Sequence, residues 1–342
     1  MIKDAIKKVV EGRDLTEVEA VEVMELIMAG DATPAQIAAL ITAMRIKGET
    51  VDEVAGFAKV MREKSIRIPT KCAPTAMIDT CGTGGDHSNT FNISTTSAFV
   101  VAGAGVHVAK HGNRAMSSKC GSADVLEALG VNLGLTPEQV GRCIDEVGIG
   151  FLFAPAHHPS MKHAVVPRKE IGIRTVFNIL GPLTNPAGAK RQLLGVFDGA
   201  LTDLMAAVLL RLGSDRAVVA HGLDGIDELS TFGPTMIAEI KDGRIETYRI
   251  SPEDFGLSIA KPGDLAQGEN PAESAVIVEE ILSGKPGPKR DIVLLNAGAA
   301  LMVAGKAESL AEGTRLAAES IDSGKASEAL KDLREISSEL GM

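Results

Sequence analysis

The sequence predicts an α/β protein, with a small N-terminal helical domain and a large α/β domain that contains a mostly parallel central sheet. Residues 1–65 have helical periodicity and three successive helix-start signals. From Met77 onward, short apolar runs alternate with helical stretches, a pattern typical of parallel strands joined by crossover helices. We therefore assign the helical domain to residues 1–70 and the α/β domain to residues 75–342.

The helical domain is predicted from its caps. Three threonines each stand three residues before a Glu or Gln that can close a capping box: Thr16, Thr33 and Thr50. Gly30 and Gly48 follow the first two of these helices, where we expect left-handed stop residues. The segment Arg67–Pro74 holds two prolines and little periodicity, which indicates a linker.

The α/β domain is predicted from five short apolar runs: Met77–Asp79, Val106–Ala109, Ile149–Phe153, Leu193–Phe197 and Ala217–Ala220. Asp242-Gly243 then separates Met236–Ile240 from Ile245–Ile250, which is a strong hairpin signal. Near the end of the chain, Asp291–Val303 is very apolar and is predicted to be a buried helix.

The composition disfavours several classes of partner. A net charge of −10, no Trp and one Tyr argue against nucleic acid, and the charge also argues against anionic membranes. The sequence has no signal-peptide pattern and no apolar run of about 20 residues, so we expect a cytoplasmic protein. The cysteines form no Cys-x-x-Cys pair and are interpreted as bystander thiols: Cys72, Cys81, Cys120 and Cys143.

A glycine-rich turn, Asp79–Asp86, follows the first predicted strand and leads into Asn89–Thr95, which opens an apolar helix. Backbone N–H groups of glycines and the positive end of a helix together suit a phosphate group. The dinucleotide fingerprint is excluded because residue 87 is His87, and no Gly-Lys-Ser/Thr of a P-loop is present. A tight turn without a ligand is the alternative interpretation.

Two windows depart from the acidic background. Residues 87–123 contain no Asp or Glu, and residues 151–197 contain one acid against six Lys and Arg. In the first window, Lys110–Lys119 is predicted to be a loop at the carboxyl end of a strand, where open α/β sheets bind ligands. Lys110, Arg114, Ser117 and Ser118 offer donors to phosphate oxygens, whereas His111 is equally interpretable as a structural histidine.

The adjacent acids Asp227 and Glu228 follow the predicted strand Ala217–Ala220. Such a pair can share a hard divalent cation that also touches a diphosphate, although a solvated surface pair is the alternative. Zinc binding by His157, His158 and His163 is disfavoured because adjacent histidines diverge and no cysteine lies nearby in sequence.

Taken in order, these segments closely resemble the signature segments of anthranilate phosphoribosyltransferases. The resemblance lies in Asp79–Asp86, Asn89–Thr95, Lys110–Ser118 with Cys120–Asp124, Phe177–Pro186 and Asp227–Ser230, and it extends over essentially the whole chain. One departure is Val166-Pro167-Arg168, where the family has Pro-Val-Arg. Arg168 stays in register, so its role is expected to carry over while the local helix start shifts slightly.

The resemblance implies a fold of the nucleoside phosphorylase/phosphoribosyltransferase type, a segment near residues 165–185 that returns to the helical domain, and homodimerisation through that domain. It implies transfer of the phosphoribosyl group of 5-phosphoribosyl 1-diphosphate (PRPP) to anthranilate, with Mg²⁺, in tryptophan biosynthesis. The metal ligands would be Ser94, Asp227 and Glu228, and the anthranilate contacts Gly82, His111, Asn113 and Arg168. The PRPP contacts would be Gly82, Gly85, Asp86, Thr90, Asn92, Ile93, Ser94, Thr95, Lys110, His111, Gly112, Asn113, Arg114, Ala115, Met116, Ser117, Ser118 and Ser122.

This chemistry suits the residues. Breaking the bond from C1 to diphosphate places negative charge on the leaving group, which cations and N–H donors neutralise. The aromatic amine is neutral at pH 7 and needs positioning rather than deprotonation, so we assign no general base. Two other interpretations are a pyrimidine nucleoside phosphorylase, whose glycine turn continues into a Lys-Thr-Ser segment missing here, and a non-catalytic nucleic-acid-binding relative.

Overall fold

The computed structural model describes residues 1–115 and 119–341. It has the two parts expected from the sequence, a helical bundle followed by an α/β domain. Within the described residues, no helix combines the length and the hydropathy needed to cross a membrane.

Four helices form the bundle: α1 (Ile2–Val10), α2 (Glu17–Ala29), α3 (Pro34–Lys47) and α4 (Val51–Lys64). The three predicted threonine capping boxes are present at the starts of α2, α3 and α4. Gly30 is left-handed as expected and ends α2. Gly48 ends α3, but with φ 90° and ψ 133° it is not the predicted left-handed helical cap.

A seven-stranded sheet forms the centre of the second domain, in the order β3-β2-β1-β4-β5-β6-β7. Its first five strands pair in parallel, and β6 and β7 form the predicted antiparallel hairpin. The strands are β1 (Met77–Asp79), β2 (His107–Gly112), β3 (Ile149–Phe153), β4 (Arg191–Gly195), β5 (Arg216–Gly222), β6 (Thr235–Lys241) and β7 (Arg244–Ile250). The predicted mostly parallel sheet is therefore confirmed.

The carboxyl end of β2 lies three residues later than the sequence predicted, at the edge of the candidate site. β2 extends through Lys110, His111 and Gly112, which the sequence placed in a loop. The strand continues because all three residues pair with β3, opposite Phe151, Leu152 and Phe153. The side chains of Lys110 and His111 are therefore held by sheet geometry, and the loop begins only at residue 113.

Helices and the remaining chain cover both faces of the sheet. Along β5, Val218 and Ala220 contribute to one core cluster with α5 and the C-terminal helices. The alternate residues Ala217 and Val219 contribute to a second cluster that also contains the helical domain. The helices of this domain are α5 (Ile93–Gly103), α6 (Ser122–Ala128), α7 (Pro137–Val147), α8 (Ala154–His157), α9 (Lys162–Ile171), α10 (Phe177–Leu180), α11 (Leu201–Arg211), α12 (Pro271–Leu282), α13 (Pro288–Val303), α14 (Leu310–Asp322) and α15 (Lys325–Leu340).

The segment from α9 to α10 lies against the helical bundle. α9 packs on α2 and α3, and Arg62 of α4 donates a 2.6 Å hydrogen bond to the carbonyl oxygen of Leu183. α9 begins at Lys162, so Pro167 lies inside the helix, and the Val166-Pro167 departure is not at the helix start as expected. The domain boundaries at residues 70 and 75 remain a prediction.

Candidate functional site

The glycine turn lies where the direction of strand progression reverses. From β1 the chain builds β2 and β3 on one side and then β4 and β5 on the other, which is the switch point where open α/β sheets bind ligands. Gly84 and Gly85 have φ values of 62° and 77°, in the left-handed region that favours glycine. The Thr83 N–H donates to the carbonyl oxygen of Gly195 at 2.9 Å, which fixes the turn to the end of β4.

Asp227 and Glu228 lie directly beside this turn. The Gly84 N–H donates to Asp227 Oδ2 at 2.7 Å, and the Asp227 N–H donates to Asp86 Oδ2 at 3.4 Å. Glu228 accepts a hydrogen bond from the backbone N–H of Ser94, in the first turn of α5. The structure thus brings together three segments that the sequence analysis treated separately.

The electrostatics of this acidic group favour a cation. Desolvation raises the pKa of Glu228 to about 8, against an opposing effect of Lys110 and with a further increase from Asp86. Desolvation and repulsion from Asp86 and Glu228 also raise the pKa of Asp227 well above its ordinary value. Carboxylates that resist ionisation together need added positive charge, and oxygen donors suit Mg²⁺. The residues present therefore fit the metal that the family resemblance implies.

Lys110 places a buried positive charge beneath the start of α5. The residue is only 3% exposed to solvent. Its Nζ donates hydrogen bonds to Ser94 Oγ at 3.3 Å and to the Thr80 carbonyl oxygen at 3.4 Å. A buried ammonium group is stable only with such partners or an anion nearby. Lys110 therefore lies in the position that a phosphate site at the α5 N-terminus requires.

The first turn of α5 and the residue before it carry buried polar atoms. Asn92 Nδ2 donates to the Cys120 carbonyl oxygen at 3.1 Å, whereas Asn92 Oδ1 and Thr95 Oγ1 are buried without a hydrogen-bond partner in the described parts of the chain. Ile93 is buried and begins α5, and Thr90 forms an isolated β-bridge with Ala266. Unsatisfied buried oxygens beside the turn are consistent with a polar ligand.

The loop after β2 begins with a tight contact. A Cβ on Gly112 would stand 2.3 Å from Ser122 Oγ, and that hydroxyl accepts from the Asn113 N–H at 3.2 Å. Arg114 forms ion pairs with Asp124 and Glu127 at 3.0 and 2.8 Å. The Ala115 N–H donates to Asp124. The proposed contacts Met116, Ser117 and Ser118 lie outside the described residues.

Of the four residues expected to contact anthranilate, Gly82 lies in the glycine turn and Asn113 in the loop after β2, whereas His111 and Arg168 lie on two separate elements. His111 is buried on β2, with its ring centroid 5.3 Å from that of His158, and burial lowers its pKa to about 3. Arg168 lies on α9 with its guanidinium 5.3 Å from the centre of the Phe177 ring, and desolvation lowers its pKa. The structure shows Arg168 against the Phe177 ring and does not test its contact with anthranilate, so this role remains a prediction.

Sequence reasoning gave no specific role to Arg174 or to Cys81. The Arg174 guanidinium donates to the Gly85 carbonyl oxygen and lies 4.2 Å from the centre of the Phe197 ring. Its presence in the second basic window was the available signal. Within residues 1–115 and 119–341, one group of three His, Cys, Asp or Glu has ligand atoms all within 4.8 Å of one another, formed by Asp79, Cys81 and His111. The sheet assembles this group from separate segments.

Comparison with known proteins agrees with this geometry. A model of the glycosyl transferase family a/b domain matches residues 74–327, and a model of the glycosyl transferase family helical bundle domain matches residues 3–65. An anthranilate phosphoribosyltransferase from Symbiobacterium thermophilum is 59% identical over 339 residues, covering 99% of this chain and 98% of that protein. Another from Acetivibrio thermocellus is 57% identical, covering 98% and 96% respectively.

Solved structures show the same relationship. Anthranilate phosphoribosyltransferase from Thermus thermophilus superposes with a TM-score of 0.92 at 46% identity, covering 98% of this chain and 99% of that one. The Saccharomyces cerevisiae enzyme in complex with PRPP and Mg gives a TM-score of 0.88 at 28% identity, covering 99% and 98%. The same yeast enzyme in complex with 4-fluoroanthranilate gives 0.87 at 26% identity with the same coverage. The chain therefore belongs to the anthranilate phosphoribosyltransferase family.

Proposed function

We propose that this chain transfers the phosphoribosyl group of PRPP to the amino nitrogen of anthranilate, giving N-(5-phosphoribosyl)anthranilate and diphosphate, in tryptophan biosynthesis. The observation that carries this proposal is the 2.7 Å hydrogen bond from the Gly84 N–H to Asp227 Oδ2. It joins a glycine turn suited to phosphate and an acidic pair suited to metal at the switch point of the sheet.

Phosphate binding is assigned to the turn, the α5 start and the β2 end. Gly82, Gly85 and Asp86 lie in the turn, Thr90 and Asn92 precede α5, and Ile93, Ser94 and Thr95 form the first turn of that helix. The positive end of α5 and the Lys110 ammonium group attract the anion and stabilise charge that develops on diphosphate as C1 is released. We assign the remaining contacts to His111, Gly112, Asn113, Arg114, Ala115, Met116, Ser117, Ser118 and Ser122.

Magnesium is assigned to Ser94, Asp227 and Glu228. When bound there, Mg²⁺ would supply positive charge to the diphosphate leaving group. The ligand atoms of these residues come from two segments, the start of α5 and the loop after β5. We infer that the diphosphate supplies part of the coordination, as Mg²⁺ is usually held by few carboxylates together with substrate phosphates.

Anthranilate binding is assigned to Gly82, His111, Asn113 and Arg168. The pKa of His111, lowered to about 3 by burial, keeps the ring neutral at pH 7, so its ring can pack against an aromatic substrate without a charge. Arg168 supplies the cation that the anthranilate carboxylate needs. The amine is already neutral, and these groups position it for attack on C1.

We also propose a cytoplasmic homodimer that pairs through the helical domain. Val10, Val18 and Ile46 of that domain are 69%, 67% and 82% exposed, which leaves apolar surface available for a second copy. All four cysteines are free, which fits a reducing compartment. Sedimentation equilibrium of the purified chain, giving twice the chain mass, is the expected result.

The activity is tested by incubating the chain with anthranilate, PRPP and Mg²⁺. We expect loss of anthranilate fluorescence, with a product whose mass is that of N-(5-phosphoribosyl)anthranilate. A nucleoside phosphorylase would instead cleave pyrimidine nucleosides with inorganic phosphate, and a nucleic-acid-binding relative would retard DNA or RNA in a mobility-shift assay. Either of those outcomes, without anthranilate turnover, would refute the proposal.

A further inference from the structure

Arg174 lies outside the sheet and contacts the glycine turn. It stands between α9 and α10, in the segment that lies against the helical bundle, and it is half-buried. Its guanidinium donates to the Gly85 carbonyl oxygen. A Cβ placed on Gly85 would be 3.8 Å from Nη2 and 3.9 Å from Nε of Arg174, so one edge of the guanidinium lies against this glycine. A side chain from the segment that follows Arg168 therefore reaches the proposed phosphate site.

The Phe197 ring supports this guanidinium. The Arg174 Cζ atom lies 4.2 Å from the centre of the ring, within the range at which a planar cation is attracted to an aromatic face. Phe197 follows β4, and its backbone N–H donates to Thr83 Oγ1 at 3.1 Å. The end of β4 therefore fixes the glycine turn twice, directly at Thr83 and through Arg174 at Gly85.

The glycine turn needs such anchors because three of its residues lack a Cβ. Gly82, Gly84 and Gly85 have wide conformational freedom, so the loss of entropy on ordering the turn is large. The Gly85 carbonyl and the Asp86 N–H belong to one trans peptide unit and point in opposite directions. A contact that fixes the Gly85 carbonyl oxygen therefore also fixes the direction of the Asp86 N–H.

Asp86 connects this peptide unit to the acidic pair. Its Oδ2 accepts from the Asp227 N–H at 3.4 Å, and its Oδ1 accepts from the Ser88 N–H at 3.2 Å. A rotation of the peptide between Gly85 and Asp86 would displace this carboxylate, which is itself an assigned PRPP contact. The Arg174 contact therefore bears both on the phosphate turn and on the surroundings of the proposed metal ligands.

We propose that Arg174 is a positioning residue for PRPP, which holds the peptide between Gly85 and Asp86 so that the turn is already arranged to receive Mg²⁺–PRPP. Ordering the turn before binding removes an entropic cost from the binding step, so the contact raises affinity. This inference rests on the proposed function. The role needs the planar face that packs on Phe197 and the N–H edge that meets Gly85, whereas lysine would supply only the positive charge.

The test is calorimetric titration with Mg²⁺–PRPP, without anthranilate, of wild type, Arg174→Ala, Arg174→Lys and the control Lys169→Ala. Lys169 is exposed on α9 and belongs to the same basic window, so the control removes a nearby positive charge from the surface. We expect the dissociation constant of PRPP to rise about 10-fold in Arg174→Ala and nearly as much in Arg174→Lys, with little change in Lys169→Ala. In steady-state kinetics the KM for PRPP should rise in the same way, while the KM for anthranilate stays near the wild-type value.

Phe197→Leu provides a second test, because that ring acts through Arg174. It should also weaken PRPP binding, and the double variant with Arg174→Ala should bind no more weakly than Arg174→Ala alone.

Three results would overturn the positioning role: wild-type affinity in Arg174→Ala, wild-type affinity in Arg174→Lys, or additive losses in the double variant. Urea unfolding checks that each variant is folded, and a lower midpoint with an unchanged dissociation constant would show a structural role only. If the wild-type chain binds no Mg²⁺–PRPP, the proposed function fails together with this inference. If the wild-type chain binds Mg²⁺–PRPP and the variants match it, only the inference about Arg174 fails.

Discussion

At the scale of single residues, Gly195 is the position where the site depends most on the absence of a side chain. A Cβ there would stand 1.6 Å from the Asp227 carbonyl oxygen, so Gly195→Ala must displace the acidic pair or the end of β4. We expect weaker binding of Mg²⁺–PRPP by calorimetry and a loss of stability of about 1–3 kcal/mol. The control is Gly233→Ala, because a Cβ there has no heavy atom within 4 Å. An unchanged dissociation constant for Mg²⁺–PRPP in Gly195→Ala would show that the acidic pair does not take part in PRPP binding.

Substitution of Arg168 tests the anthranilate contact independently of PRPP binding. Arg168→Ala removes a charge-assisted contact to the anthranilate carboxylate, worth about 1.5–3 kcal/mol, or roughly 10- to 150-fold in affinity. Because the contact exists before and during reaction, the KM for anthranilate should rise while kcat changes little. Lys169→Ala, an exposed neighbour on α9, is the matched control. If Arg168→Ala changes only the KM for PRPP, the second basic window is a phosphate site.

Some residues of the candidate site could be predicted from the sequence, and others could not. Asp227 and Glu228 were identified because two adjacent acids after a strand form a local pattern. Arg174 has no such pattern, and its contact with the Gly85 carbonyl oxygen spans 89 positions of sequence. Cys81 and His111 were interpreted separately because only the pairing of β1 with β2 brings them together. Site residues that form a pattern of neighbours in sequence were therefore predictable. Contacts between residues that strand pairing brings together from distant segments were not.

At the scale of elements, the three capping boxes differ in burial. In the α4 box, Glu53 is fully buried and accepts from the Thr50 N–H, the Leu15 N–H and Lys47 Nζ at 2.9, 2.9 and 3.0 Å. Glu53→Ala leaves those donors unsatisfied and should cost about 3 kcal/mol. In the α2 box, Glu19 is at the surface, and Glu19→Ala should cost about 1 kcal/mol or less. Urea unfolding midpoints compare the two, and equal shifts would contradict the role of burial.

Local start signals identified three helices and the hairpin correctly, just as apolar runs identified the parallel strands. Thr16, Thr33 and Thr50 mark their helices, and Asp242-Gly243 marks the hairpin with φ values of 51° and 71°. α1 had no such signal, because no side-chain hydrogen bond caps its start. The order of the strands could not be predicted, because pairing of β1 with β4 depends on contacts more than 100 residues apart. Hydrophobic periodicity identifies a strand but not its neighbour.

At the scale of the whole molecule, buried histidines between the sheet and the returning segment make stability depend on pH. Burial lowers the pKa of His111 to about 3 and of His158 to about 4, from 6.5. Below pH 6.5 the unfolded chain therefore binds protons that the folded chain does not, so the free energy of unfolding falls as pH falls. The slope approaches about 1.4 kcal/mol per pH unit for each histidine between pH 6.5 and its folded pKa.

Substitutions of single histidines can isolate the contribution of His158 to the pH dependence of stability. Asp79 acts in the opposite direction, because burial raises its pKa to about 6 and the folded chain protonates first. His158→Gln should therefore be compared with wild type and with His87→Asn, which changes an exposed histidine. We expect the decrease in unfolding free energy between pH 7 and 5 to be smaller in His158→Gln alone. Parallel pH profiles for all three proteins would show that His158 is not held neutral by the fold.

The whole molecule also explains why one site can hold two substrates. The glycine turn and the acidic pair belong to the sheet, whereas Arg168 belongs to α9, which packs on the helical bundle. The second core cluster joins that bundle to Leu194 and Val196 near the end of β4. The phosphate and anthranilate halves of the proposed site therefore lie on different but connected parts of the structure.

The most direct test of the account is the metal dependence of turnover. The initial rate of anthranilate fluorescence loss is measured at saturating PRPP with Mg²⁺, with excess EDTA, and after Mg²⁺ is restored. Since the acidic pair needs a cation to stabilise the leaving group, we predict a rate at background in EDTA and full recovery with Mg²⁺. Asp227→Asn should lower kcat in Mg²⁺ while the KM for anthranilate stays near the wild-type value. Full turnover by the wild-type chain in excess EDTA would contradict the account.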